Sequence, residues 1–171
     1  NGMVMGILAL VGGDEFRANC VPMDRELLGM IARRPARVVI LPTAASQQGP
    51  GMAAANGVRY FAGLGAEALS AMVLTRGDAD DPAWVASLAD ADLIYLTGGS
   101  PSHLLGALQG SAVWAAIQRR YQEGALIAGS SAGAMVMGAA MRYGGAGWTP
   151  TLGLGLASHV AVIPHHAASP N

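Results

Sequence analysis

Apolar residues in this chain fall into short unbroken runs, separated by stretches in which they recur every three or four positions. The runs are "MVMGILALVGG" (3–13), "ARVVILPTAA" (36–45), "EALSAMVL" (67–74), "DLIYLTGG" (92–99), "ALIAGSS" (125–131) and "SHVAVIPHH" (158–166). A strand that is apolar at every position is buried on both faces. The stretches between, 23–34, 49–65, 81–91, 100–124 and 132–141, carry helical spacing, and 81–91 opens on Asp-Pro, a helix start. This alternation predicts an α/β fold: a doubly wound, mostly parallel sheet of six strands with helices on both faces. Chemistry in such sheets gathers beyond the carboxyl ends of the strands. The exits "VGGDEF", "LPTAAS", "LTGGSPS", "AGSSAGA" and "IPHH" should therefore line one rim. The glycine-rich piece 142–156 reads as the one long irregular segment, a candidate cover for a site on that rim.

With 171 residues and no repeat, low-complexity tract or linker, residues 1–171 read as a single domain, trimmed at its C-terminus. The apolar share is 52% and the charged share 12%, so few charges solvate the surface, and a second subunit of a homodimer is the expected cover. Every basic residue is Arg, the net charge is -1, and no basic run exists to bind nucleic acid. One cysteine, Cys20, excludes an internal disulfide framework and is expected to be a buried thiol. The apolar N-terminal run is too short to span a bilayer and lacks a positive flank, so no membrane association is expected and the cytoplasm is the default location.

Three exits carry candidate chemistry. Gly129-Ser130-Ser131-Ala132-Gly133 is a G-x-S-x-G pattern between an apolar run and a helical stretch. In that setting the flanking glycines let the chain reverse sharply and lift the Ser131 hydroxyl into the open, with the following amides free to bind an oxyanion. A serine there can also simply cap a helix; the strand–turn–helix context favours the nucleophile. A nucleophilic serine needs a base. Of His103, His159, His165 and His166, the last two sit on the predicted rim, and alternation along a strand would turn only one of them toward Ser131. Gly98-Gly99 ends a buried strand just before a helix, a turn suited to a second oxyanion amide or to substrate contact by Gly98 and Ser100.

The loudest motif is "GGDEF" (12–16), the signature of diguanylate cyclases. That chemistry needs two metal ions held in part by a carboxylate from an earlier strand, and no acidic residue precedes Asp14. The motif also ends a fully apolar strand, where a cyclase would carry it on a hairpin. No histidines and carboxylates show metal-ligand spacing, and neither a metal nor another cofactor is expected.

The ordered set "DLIYLTGG", "AGSSAGA", "GLGL" (153–156) and "VIPHH" (162–166), with "ARVVILPTAAS" before it, resembles the dipeptidase E and cyanophycinase family of serine peptidases, within the flavodoxin-like, class I glutamine amidotransferase-like fold. The resemblance runs over nearly the whole chain. It implies Ser131 as nucleophile, His165 as base, the Gly99 and Ala132 amides as oxyanion hole, and small peptides as substrates. The family's taste for an acidic substrate residue makes Arg142 a candidate partner for a carboxylate. Three departures stand out: Ser100-Pro101 replaces the polar pair usual after the glycines, Ala167 stands where amidotransferases carry glutamate, and no Asp or Glu follows Glu123. The acid that orients the base must then be absent, drawn from an earlier loop, for which Asp14 and Glu15 qualify, or placed beyond Asn171. An α/β-hydrolase esterase, whose acid lies between serine and histidine, is excluded on the same ground. A catalytically impaired relative that binds a small ligand or a partner is the alternative.

Overall fold

The structure is a computed structural model, and it describes residues 5–143 and 149–166. Five strands, β1 (Leu8–Val11), β2 (Arg37–Leu41), β3 (Glu67–Ser70), β4 (Leu93–Leu96) and β5 (Leu126–Ser130), form one sheet in the order β1-β5-β4-β2-β3. Every pairing in it is parallel. Six helices, α1 (Val21–Met30), α2 (Pro50–Gly63), α3 (Pro82–Ser87), α4 (Pro101–Leu108), α5 (Ala112–Gln122) and α6 (Ala132–Met137), complete the α/β architecture.

Strand alternation explains why the runs are apolar throughout. Val39, Leu41, Ile94, Leu96 and Ile127 point to one side, into a core with Leu104, Leu108, Trp114, Ile117, Val136 and Met137 from α4, α5 and α6. Val38, Ile40, Leu93, Tyr95, Leu126 and Ala128 point to the other, where α1 and α2 supply Leu27 and Phe61. Each strand thus feeds two cores, and a polar residue on either face would be buried.

Register sets the rim. Leu41 lies opposite Leu96, Leu96 opposite Gly129, and Val11 opposite Ser130. Four strands therefore end at one level, and the residues that follow them emerge side by side.

Three predicted elements come out differently. The helical region 100–124 is two helices, because Gly110 turns left-handed (φ 67°) and the Ser111 hydroxyl then accepts from the Trp114 amide at 3.0 Å as a fresh N-cap. The helix expected over 132–141 stops at Met137, and part of the piece read as irregular is an antiparallel hairpin of β6 (Ala140–Tyr143) and β7 (Thr149–Leu152). The middle of the proposed covering loop, 144–148, lies outside the described residues. The sixth strand, 158–166, does not form. Val160 and Ile163 are exposed and Pro164 has no N–H to give a ladder. The segment is instead tied to the end of α6 by single bonds, among them Ala157 N to Met137 O at 2.8 Å and Ala139 N to Val160 O at 2.8 Å. Among the described residues, no helix is long and apolar enough to cross a membrane, and no three His, Cys, Asp or Glu side chains are grouped to hold a metal ion.

Close backbone approach controls the β5–α6 join. A Cβ on Gly133 would overlap the Leu96 carbonyl oxygen, and one on Gly129 would come within 2.5 Å of Gly133 C. By contrast, Gly106 is exposed in mid-α4 with nothing near its missing Cβ. Gly133→Ala should lower unfolding free energy by about 1–3 kcal/mol or more through overpacking, whereas Gly106→Ala should raise it by about 0.5–1 kcal/mol through helix propensity. Urea titration of the two variants beside the parent reads both signs.

Candidate active site

Ser131 is the hinge of the β5–α6 turn. Its φ is 50° and ψ -107°, a conformation that costs an L-residue about 1–3 kcal/mol and persists only where surrounding contacts impose it. Those contacts are backbone bonds on either side: Ser131 N–H donates to Val11 O at 2.9 Å, and Met135 N–H donates to Ser131 O at 2.9 Å. The side chain, half-buried, is turned out toward the rim.

There it meets a histidine. Ser131 Oγ and His165 Nε2 stand 2.8 Å apart. His165 is exposed and has φ 56°, left-handed, so the ring is aimed by a backbone kink and not by strand alternation. Its own N–H donates to Gly12 O at 3.0 Å, and its ring lies so close to Gly13 that a Cβ there would be 2.6 Å from Cε1. The β1 exit is therefore the bed on which this ring rests. His166 is exposed beside it. His103 faces away, with Nε2–H donating to Leu74 O at 2.7 Å, and His159 is exposed in a turn.

The same exit supplies a carboxylate. Glu15 Oε1 accepts the Gly98 amide at 2.8 Å, and Oε2 accepts the Ser130 hydroxyl at 2.7 Å. Ser130 is fully buried. The amide of Gly98 is thus taken by Glu15 and that of Ser131 by Val11, while the next amides along, Gly99 and Ala132, follow directly at the rim. Gly99 is irreplaceable on steric grounds: its φ is 141° and a Cβ would overlap the Ala44 carbonyl. Ser100 anchors this loop, its N–H donating to Ala44 O at 2.8 Å and its hydroxyl accepting from His103 N–H at 3.3 Å as the cap of α4. Beside it lies a cleft of about 330 Å³ lined by Ala44, Gln47, Gln48, Ser100, Ser102 and His103. The backbone of Arg142 lies in β6; its side chain is outside the described residues.

The "VGGDEF" loop itself is pinned from below. Asp14 and Phe16 are left-handed (φ 60° and 65°), on either side of Glu15. Phe16 packs on Tyr95 (centroids 5.0 Å apart), Tyr60 and Phe61. The buried Cys20 thiol donates to Asp14 O at 3.2 Å, and burial, followed by the charge of Asp24, pushes its pKa up. Asp24 is fully buried on α1 and accepts the Tyr60 hydroxyl at 2.7 Å. Burial raises the Asp24 pKa above its ordinary 3.8, and the Tyr60 bond only partly offsets this. Burial and the Asp24 contact also push Tyr60 upward.

The family model of Peptidase family S51 matches residues 7–171. The chain belongs to that family. Among S51 relatives it is 32% identical over 166 residues to the cyanophycinases of Trichormus variabilis and of a Nostoc species, covering 91% of this chain and 55% of theirs. The chain thus spans about half the length of the curated relatives it matches. The crystal structure of a peptidase from an acI-B1 Actinobacterium superposes with a TM-score of 0.88 at 32% identity, over 98% of this chain and 71% of the other. A putative peptidase E of Listeria monocytogenes, at 24% identity and TM-score 0.61 over 80% of this chain and 63% of the other, shares the fold.

Two features of the S51 site escape a reading of motifs. Glu15 was a candidate to orient the base, yet its oxygens serve Gly98 and Ser130. The role of Gly12 and Gly13 as the seat of His165 was invisible, because they belong to the far end of the chain. The only available signal was a glycine pair and a carboxylate at a strand end on the rim.

The buried acid under this loop makes stability depend on pH. With its folded pKa raised, Asp24 is protonated in both states below about pH 3.8 and contributes nothing there; as pH climbs toward the raised value, the folded state alone holds the proton back, and stability falls. Asp24→Asn should lack this fall, so its stability relative to the parent should rise with pH across that window. Thermal melts between pH 3.5 and 8 test it, and parallel curves would sink the assignment.

Proposed function

We propose that this chain is a serine-type peptidase acting on small peptides, with Ser131 as nucleophile and His165 as general base. The observation that carries this reading is the 2.8 Å approach of Ser131 Oγ to His165 Nε2 across a nucleophile elbow. Ser131 Oγ attacks the amide carbon as its proton passes to His165 Nε2. The oxyanion is received by the Gly99 and Ala132 amides, which follow the amides bound by Glu15 and by Val11 O. His165 then gives the proton to the leaving nitrogen, the C–N bond breaks, and an acyl-Ser131 ester remains. Water attacks the ester as its proton passes to Nε2; the Oγ–C bond then breaks, Nε2 returns the proton to Ser131 Oγ, and the acid is released. S51 membership and the similarity to cyanophycinases and to a solved peptidase support amide hydrolysis. A cleft of about 330 Å³ next to Ser100 suits a substrate of a few residues.

A fluorophosphonate probe should label folded protein at Ser131 and nowhere in Ser131→Ala. Replacing His165 with Gln should slow hydrolysis of a short peptide amide by about 10²–10⁴-fold, the usual contribution of a positioned base. Folded protein that neither labels nor hydrolyses would reassign it as a ligand-binding relative.

A further inference from the structure

We propose that Glu15 is a positioning residue for catalysis: by bridging Gly98 and Ser130 it fixes the spacing between the two oxyanion amides. The proposal rests on the serine-peptidase reading above. Its grounds are geometric. Gly98 immediately precedes Gly99, and Ser130 is followed after one residue by Ala132. These loops are far apart in sequence, leave different strands, and are joined at the rim by one carboxylate, at 2.8 and 2.7 Å. Bonds to a carboxylate acceptor are shorter and roughly twice as strong as neutral ones. The bridge is also sterically dedicated, since a Cβ on Gly98 would lie 2.8 Å from Glu15 Oε1.

Nothing else in the neighbourhood suits the carboxylate's task so well. Glutamine keeps an acceptor for the Gly98 amide but reverses the Ser130 bond, its NH2 donating to the hydroxyl, and both bonds lose the assistance of the charge. Aspartate is one methylene short of spanning both. The left-handed residues on either side, Asp14 and Phe16, hold Glu15 toward the rim, and the aromatic contacts of Phe16 anchor that geometry in the core. With both oxygens bound to the Gly98 and Ser130 loops, Glu15 acts through the amides it places.

The effect belongs in the transition state, because an oxyanion donor counts only once the charge has formed. Glu15→Ala should therefore lower kcat and the fluorophosphonate labelling rate together by about 10²-fold, the loss seen when one oxyanion donor is displaced, with KM within about twofold of the parent. Glu15→Gln should fall between, and Ser130→Ala, which cuts one arm only, serves if Glu15→Ala does not fold. The activity-independent readout is hydrogen exchange at the Gly98 amide, which should quicken at least tenfold in Glu15→Ala. Labelling and kcat that match the parent once corrected for folded fraction would overturn the proposal, as would unchanged Gly98 exchange. A parent protein that never labels would instead overturn the serine reading, and Gly98 exchange alone would then decide whether the bridge exists.

Discussion

Everything at the rim depends on how closely the backbone of α6 can approach the sheet. Gly133 lies against the Leu96 carbonyl and Gly129 against Gly133, so helix and strand meet with no side chain between them. That contact leaves too little room for a relaxed turn, and Ser131 is driven to φ 50°. The strain is local, but the restraint is distributed. It draws on the fully buried Leu96, Ile127, Val136 and Met137 and on the hydrogen bond from Ser131 N–H to Val11 O. A hydroxyl presented this way pays no further entropy to reach its partner, because the main chain has already chosen its direction.

A parallel sheet adds a second consequence. Because β1, β5, β4 and β2 end in register, the exits of strands distant in sequence become neighbours. The β1 exit takes most advantage of this. Gly12 receives the His165 amide, Gly13 makes room for the ring, Glu15 reaches the Gly98 and Ser130 loops, and Phe16 ties the turn to the core. Gly12, Gly13 and Glu15 thus touch His165 and the loops of Gly98 and Ser130, while Phe16 anchors them. The edge position of β1 allows it: with only β5 beside it, its exit is open on the other side, and the chain around His165 can settle there.

Much of this was legible beforehand. Unbroken apolar runs marked the five central strands, since each must feed two cores. The G-x-S-x-G after the fifth run located Ser131, because few other settings need two glycines around a serine at a strand end. The tail was not legible. "SHVAVIPHH" has the composition of a strand, but composition cannot tell burial from exposure, and Val160 and Ile163 lie open. Alternation left open which of His165 and His166 faces Ser131, and only the family resemblance pointed to His165. It does lie there, but through a left-handed kink. The function of Glu15 was half visible: its place on the rim could be counted from the strand, whereas its partners depend on side-chain reach, which no spacing encodes.

The "GGDEF" letters show why a motif is only as good as its place in the fold. In a metal-dependent cyclase the two carboxylates would face ions. Here each meets hydrogen-bond donors or an arginine: Asp14 lies 3.9 Å from Arg17 and Glu15 accepts an amide and a hydroxyl. Neutral and cationic donors suit an anion as well as a metal does, and they need no ion to hold the loop together. The glycines likewise have a steric purpose, set by a histidine ring that arrives 152 residues after Gly13 in the chain (165 − 13). A pattern of five residues fits both chemistries. What separates them is the identity of the loops that the sheet brings alongside, and that follows from where the strand lies.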